Sequence, residues 1–297
     1  MAKSNYFHFI ICGLIFLCSC NQNVKKERAN QGIIDGKAVM LADESLYPIV
    51  DDEYEIFAVN YQRANIDIVY KPQQELLKLF LSDSIDVAIM PRKLNQIEEK
   101  FFNERKITIR STKFAIDGIA LITGQQNADS VITVDELKSA LLGKSKNDKT
   151  FVFDNPKSST VEYLMNLSSA KVLPRNFYAL NSNKDVIKYI KKHPDAIGIV
   201  SVTWIKRPTP DVSSDVEAVK VMGVGNGNGV YQKPSQSNLK LGLYPLIRDL
   251  YLINCQGRAG LGTGFAAFLA GELGQRIILK SGLAPDSLPS RQINIRN

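Results

Sequence analysis

The chain has 297 residues, 44% of them hydrophobic and 23% charged, with a formal net charge of +7. That is enough apolar material for a large core, and the length argues for two domains. The basic excess is dispersed in short clusters such as Lys25-Lys26, Lys144-Ser145-Lys146 and Lys191-Lys192. No basic run interleaved with aromatics appears, so nucleic acid is not an expected partner; a mildly basic surface suits a protein that collects anions.

The N-terminus sets the compartment. Lys3 gives a positive start, and Phe7 to Leu17 is an apolar run of signal-sequence length, too short for a stable membrane span. Leu17-Cys18-Ser19-Cys20 follows and resembles the lipobox of bacterial lipoproteins. The resemblance implies a signal peptide over 1–19, with Cys20 lipidated as the first mature residue. It implies a cell-envelope protein, lipid-anchored to a bacterial membrane and facing the periplasm or exterior. Residues 20–36 are polar, without apolar period, and read as a flexible tether. Cys12 and Cys18 leave with the leader, so Cys255 alone remains as a thiol and an intramolecular disulfide is excluded. Cys255 follows the apolar Leu250-Tyr251-Leu252-Ile253 and is expected in the core.

From Lys37 the elements alternate. Lys37–Leu41 begins a strand. Asp43-Glu44-Ser45-Leu46-Tyr47-Pro48 turns into a helix carried through Tyr54, Ile56, Phe57 and Val59. Ile66–Tyr70 alternates as a strand, and Leu76, Leu77, Phe80 and Leu81 have helical spacing. Ile85–Met90 reads as a buried parallel strand, followed by Pro91-Arg92-Lys93 and a helix over Gln96–Phe102. This β-α-β-α-β-α order predicts an α/β fold with a parallel sheet covered by helices. Phe114–Thr123 and Leu243–Ile253 are long enough to bridge two domains. Thr133 opens a helix ending near Gly143. Lys184–Lys191 is amphipathic, Ala196–Ser201 and Val216–Val221 are strands, Gly223–Gly229 is loop-like, and Gly264–Leu279 is a closing helix.

The stretch Asp154-Asn155-Pro156-Lys157-Ser158-Ser159-Thr160-Val161-Glu162 lies between a short strand, Thr150–Phe153, and a helix. Ser159 with Glu162 fits a capping box. Three hydroxyls and a lysine at a helix N-terminus also make an oxyanion cradle. The residues alone leave both readings open. Ser45, Arg92 and Ser158 all follow predicted strands, where ligands collect in parallel sheets.

From about Lys37 to Pro285 the chain resembles the phosphate-binding proteins of bacterial ABC importers, within the type II periplasmic-binding-protein fold. The resemblance is carried by Ser45-Leu46-Tyr47-Pro48-Ile49, Asp86–Leu94, Ile116–Ile122, Ser158-Ser159-Thr160 in place of Ser-Gly-Thr, Ala196–Ser201, Tyr244–Tyr251 and Gly274–Leu283. It implies two lobes, each a mainly parallel sheet flanked by helices, joined by two crossing strands. Lobe I would comprise 37–117 and 247–297, and lobe II 118–246. It implies a ligand, phosphate or a similar oxyanion, held by Glu44, Ser45 and Arg92 of one lobe and Ser158, Ser159 and Thr160 of the other, with Arg92 as the strong charge. An ABC permease would be the membrane partner. Two departures bear on the ligand. An Arg found four residues before the serine in several family members is Asp154 here, and the first loop carries Asp43 and Glu44. A carboxylate can accept the proton that phosphate still carries at neutral pH; the alternative is an anchored sensor or interaction module that has lost phosphate.

Other motifs fail. Gly143-Lys144-Ser145 lacks the P-loop's earlier glycine, since Lys138 stands there, and the alternating glycines from Gly223 to Gly229 do not give dinucleotide spacing. His193, the one histidine outside the leader, has no nucleophile elbow to serve. No metal set, cofactor motif or catalytic residue is expected, and the chain reads as a non-enzyme.

Overall fold

The computed structural model describes residues 32–82, 84–145 and 149–288. The leader, Cys20 and most of the tether lie outside these residues. The first half alternates as expected: β1 (Gly36–Asp43), α1 (Tyr47–Asn60), β2 (Ala64–Lys71), α2 (Gln73–Leu81), β3 (Val87–Met90), α3 (Gln96–Glu104) and β4 (Arg110–Gly124). A second unit follows with β5 (Val131–Thr133), α4 (Val134–Leu141), β6 (Phe151–Phe153), α5 (Ser159–Ser168), β7 (Phe177–Ala179), α6 (Asn183–Lys192), β8 (Ile197–Ser201) and α7 (Val202–Lys206). The chain then runs through α8 (Ser213–Val216), β9 (Val219–Val221), β10 (Gly223–Gly225), β11 (Tyr231–Gln232), α9 (Gln236–Lys240) and β12 (Ile247–Asn254). It closes with α10 (Leu261–Ala270), α11 (Glu272–Ser281) and β13 (Ala284–Pro285).

Two mainly parallel sheets share one strand. In the first, β1 pairs parallel with β2 and β3, while β12 runs antiparallel between β3 and β4. In the second, β7, β6 and β8 are parallel and β8 lies antiparallel to β4. The 15-residue β4 serves both, because residues up to Gly118 face β12 and those from Ile119 face β8. The apolar length of the segment permits this: eleven successive residues from Phe114 to Gly124 are buried. At the changeover a side chain on Gly118 would come within 3.3 Å of the Leu246 carbonyl. The result is a two-lobed mixed α/β fold of the periplasmic-binding-protein type.

Burial explains the helices. Leu46, Ile49, Val50 and Phe57 face the sheet from the start of α1. Phe57 meets Phe265 and Phe268 of α10 with ring centroids 5.1 and 5.3 Å apart, contacts worth about 0.5–1.5 kcal/mol each beyond area burial. A second cluster of Leu76, Phe80, Met90, Phe102, Ile253 and Cys255 sits under α2 and α3, so the thiol is in the core as expected.

Three local expectations change. The closing helix is two helices, broken at Gly271. A side chain at Gly274 would stand 2.4 Å from the Phe268 carbonyl, and that close approach packs the second helix against the end of the first. Gly223–Gly225 is a strand, not a loop. It pairs parallel with β5 and antiparallel with β11, and glycine is needed because a Cβ at Gly225 would lie 2.7 Å from the Val230 carbonyl. Val216 closes α8, and the strand begins only at Val219.

Candidate functional site

The polar centre of the molecule lies where β1 and β6 end and the two long strands cross. Asp43 ends β1. Its Oδ1 accepts from the Ser45 N–H at 2.9 Å, from Ser45 Oγ at 2.5 Å and from Ser159 Oγ at 3.0 Å. Ser45 Oγ and Ser159 Oγ are 3.2 Å apart, so the two sheets' loops meet here.

The cation at this point is Arg248, from β12. Its Nη2 donates to Ser45 Oγ and its Nη1 to Ser159 Oγ, each at 3.0 Å. Nε and Nη2 both lie 2.8 Å from Asp117 Oδ2, which also accepts from Ser201 Oγ at 2.7 Å. Strand register causes the pairing, because Arg248 of β12 stands directly opposite Asp117 of β4. Arg248 is 5% exposed and Asp117 fully buried, so neither charge would be tolerable without the other. Three of the five guanidinium N–H groups are engaged in hydrogen bonds, to Asp117, Ser159 and Ser45.

The signal for this pair was present in the sequence. Asp117 is the sole charge in the apolar run Phe114–Thr123, and Arg248 shares the inward face of β12 with Leu250 and Leu252. A lone charge on the buried face of each of two bridging strands is a reason to expect partners.

Arg92, expected as the anion's cation, is occupied differently. Nη1 and Nη2 donate to the two carboxylate oxygens of Glu98 at 2.8 and 2.9 Å. Nε stands 2.6 Å from Glu162 Oε1, an ion-pair distance without hydrogen-bond alignment. Glu98 also closes the capping box of α3 with Asn95. Two carboxylates therefore neutralise Arg92 at the rim, and the charge that touches Ser45 and Ser159 belongs to Arg248.

The N-terminus of α5 is shifted by one residue from expectation. Ser158 is the cap, accepting from the Val161 N–H at 3.3 Å and donating to Asp154 Oδ1 at 2.6 Å. Ser159 is thereby freed to face Asp43 and Arg248. Glu162 reaches across to Arg92 and accepts from Gln73, instead of closing a box. The Thr160 hydroxyl is fully buried and has no partner among the described residues. Asp43 Oδ2 and Glu44 Oε1 are likewise buried without partners.

The acidic residues carry the electrostatic cost. Burial pushes Asp43 above the usual carboxylate range, despite Arg248 and the serine hydrogen bonds. Burial pushes Glu44 up to about 7, helped by Asp154 and Asp43. Burial also lifts Asp154 to about 7, against hydrogen bonds from Ser158 and Asn183.

Side spaces open on both flanks. A cavity of about 250 Å³ is walled in part by Gln73, Arg92, Ser159, Tyr163 and Arg248. A smaller one of about 180 Å³ lies between Glu44, Tyr47, Asn183, Lys184 and Trp204. Direct contacts bridge the lobes around them: Trp204 Nε1 donates to the Ser45 carbonyl at 3.0 Å, Lys157 pairs with Glu75 at 2.8 Å and Arg207 with Asp52 at 2.6 Å.

A two-lobed α/β molecule with hydroxyls and a buried arginine at the junction has the architecture of a solute-binding protein. The chain belongs to the PBP superfamily domain family, whose model matches residues 29–272. It is similar to the phosphate-binding protein PstS of Staphylococcus saprophyticus, 21% identical over 81% of this chain and 77% of that protein. Among solved structures it resembles a substrate-binding protein with bound phosphate from Clostridium perfringens, with 19% identity, a TM-score of 0.71 and 85% and 100% of the two chains covered. It also resembles an ABC-type phosphate transport receptor from Vibrio cholerae, with 18% identity, a TM-score of 0.64 and coverage of 83% and 99%. The family is one of solute-binding proteins.

Proposed function

We propose that this protein is a solute-binding protein that captures phosphate, or a closely similar oxyanion, between its two lobes for an ABC importer. In this reading lobe I comprises 37–117 and 247–297 and lobe II 118–246, and lipid on Cys20 holds the protein at the cell envelope. The observation that carries the ligand is Arg248, whose guanidinium touches Ser45 of one lobe and Ser159 of the other. Thr160 and the first N–H groups of α5 supply neutral donors, joined by Ser45 and Ser159 when their hydroxyls turn from Asp43 to the ligand, while Ser158 caps the helix and donates to Asp154. Asp43 and Glu44 supply acceptors for a proton on the ligand. A ligand that touches both lobes binds the closed arrangement better than the open one, and closure is driven only by that difference.

The decisive experiment is a thermal-shift series with phosphate, arsenate, sulfate and molybdate on the purified protein. A ligand at 100 times its Kd stabilises by about 2.7 kcal/mol, so phosphate is expected to raise Tm and sulfate, which has no proton to give, is not. Absence of a shift with every oxyanion would sink this reading. Labelling with a radioactive fatty acid, abolished by Cys20→Ala, tests the anchor. A sensor or interaction module is the second reading. The direct lobe–lobe contacts of Trp204, Arg207 and Lys157 favour it, because protein groups themselves tie the two lobes.

A further inference from the structure

We propose that the ligand is a phosphate monoester of a small polyol, of the glycerol phosphate class, with its phosphoryl group against Arg248 and Ser159 and its polyol in the cavity beside them. The inference rests on the capture of an oxyanion at that junction and adds that the oxyanion carries an organic substituent.

The shape of the cavity is the first argument. One face of α5 lines it: Ser159, Glu162, Tyr163, Asn166 and Leu167 follow at the three- and four-residue spacing of a helical stripe. Ser159, which shares the inner end with Arg248, is 3% exposed, whereas Asn166 lies at the surface. From Ser159 to Asn166 the stripe climbs from the buried junction to solvent over about 10 Å, at about 1.5 Å per residue. The cavity holds about 250 Å³. At about 30 Å³ per water-sized group, that is room for about eight groups. The oxygens of an inorganic oxyanion occupy about half of it. The three carbons and two hydroxyls that glycerol adds fill about the remainder.

The chemistry of the walls is the second argument. Gln73, at the start of α2, is 1% exposed. Its Nε2 donates to Glu162, and its Oε1 is buried with no partner among the described residues. A buried acceptor in that state calls for a donor, and a polyol hydroxyl supplies one. Asn166 places a second amide near the mouth. Pro91, Leu167 and the Tyr163 ring give apolar surface for the carbon skeleton. The Tyr163 phenol stays neutral there, because burial pushes it up to about 12 despite Arg248.

Charge decides between kinds of substituent. Besides Arg248, the charges on the cavity wall are Arg92 and Glu162, which pair with each other, and Glu98 completes the neutralisation of Arg92. An ammonium or carboxylate on the substituent would have to break that pair to find a counter-charge, whereas a hydroxyl does not. A monoester also keeps three terminal oxygens for Arg248, Ser159 and the N–H groups that open α5; a diester gives up one of them.

Isothermal titration of the purified protein with sn-glycerol 3-phosphate, inorganic phosphate and glycerol tests the proposal. Glycerol 3-phosphate is expected to bind about tenfold or more tightly than inorganic phosphate, and glycerol alone not to bind. Gln73→Met keeps the length of the side chain and removes the acceptor, and is expected to cut that preference by about tenfold. Because it also removes the bond to Glu162, Leu167→Trp serves as a second variant. It fills the outer cavity from α5 and is expected to reverse the preference. Thermal unfolding checks that both variants fold. Inorganic phosphate binding as tightly as the ester, or more tightly, overturns the proposal while leaving the phosphate reading in place. A preference that survives both variants overturns the placement of the polyol in this cavity. Absence of binding by both anions removes the oxyanion reading itself, and the proposal with it.

Discussion

Two arginines stand at the same end of one sheet, Arg92 just after β3 and Arg248 near the start of β12, and their surroundings differ in kind. Arg248 is 5% exposed and touches one carboxylate and two hydroxyls, the hydroxyls coming from different lobes. Arg92 is about a quarter exposed in its side chain and touches two carboxylates, Glu98 with both Nη atoms and Glu162 with Nε. A guanidinium saturated by carboxylates has neither charge nor donors to offer an incoming anion. One that leans on hydroxyls can exchange them for stronger, charge-assisted acceptors. On the proposed function, the difference favours Arg248 for ligand capture and Arg92 for holding the lobes together at the rim.

Removing Arg248 should produce the largest effect. Arg248→Gln leaves Asp117 buried without its cation, and stability is expected to drop by about 3 kcal/mol or more in urea titration. Oxyanion binding should be lost as well. Because that variant could fail to fold, the double variant Arg248→Met with Asp117→Leu separates the two effects. It is expected to recover most of the stability, since apolar replacement of a buried pair is often neutral, and still to bind no oxyanion. Recovered binding in the double variant would break the comparison. Next in size, Ser159→Ala removes one hydroxyl that Asp43 and Arg248 share, and should weaken affinity by about 1–2 kcal/mol in calorimetry.

Much of the frame was legible in the chain because each first-lobe element is set by its own period and punctuation. The α2 and α3 boundaries follow from Leu76, Leu77 and Phe80 and from the Asn95 cap. The second lobe was harder to read, because its strands are three residues long and their pairing is non-local: Gly223–Gly225 has no strand signature until β5 and β11 flank it. Site residues divided in the same way. Ser45 and Ser158 were visible as hydroxyls after strands and Ser159 as part of the Ser158-Ser159-Thr160 run, whereas Arg248 acquires its place from strand register with Asp117, 131 positions away. Local spacing also put the α5 cap one residue late. Ser158 has Asp154 to donate to, and Glu162 finds a stronger partner in Arg92 than a capping box provides.

Smaller effects are expected at the rim, where Arg92→Gln is informative. It removes one of Glu162's ties to the first lobe, leaving the hydrogen bond from Gln73, and leaves Glu98 with its capping role. The pair is partly exposed, so the cost is screened; affinity for phosphate should fall by less than about 1 kcal/mol, through easier opening of the lobes and not through loss of a ligand contact. Salt dependence discriminates the two routes. Loss through the latch should vanish by 0.5 M sodium chloride, where exposed pairs are screened, while loss of a direct anion contact would persist. A drop as large as that for Ser159→Ala would return Arg92 to the binding site.

The smallest effect should come from Arg207, which joins α7 to Asp52 of α1 through Nε at 2.6 Å and Nη2 at 3.3 Å. Its side chain is 58% exposed, and an exposed pair contributes about 0–1 kcal/mol. Arg207→Ala should therefore leave phosphate affinity within about twofold of the parent at physiological salt. The neighbouring Trp204 makes that expectation strict, because its indole N–H to the Ser45 carbonyl is a buried lobe-to-lobe bond that the substitution does not touch. If Arg207→Ala instead shifted the open–closed balance measurably by small-angle scattering without ligand, the rim contacts would be setting closure. The sensor-module reading, in which the lobes close without an anion, would then gain over capture at Arg248.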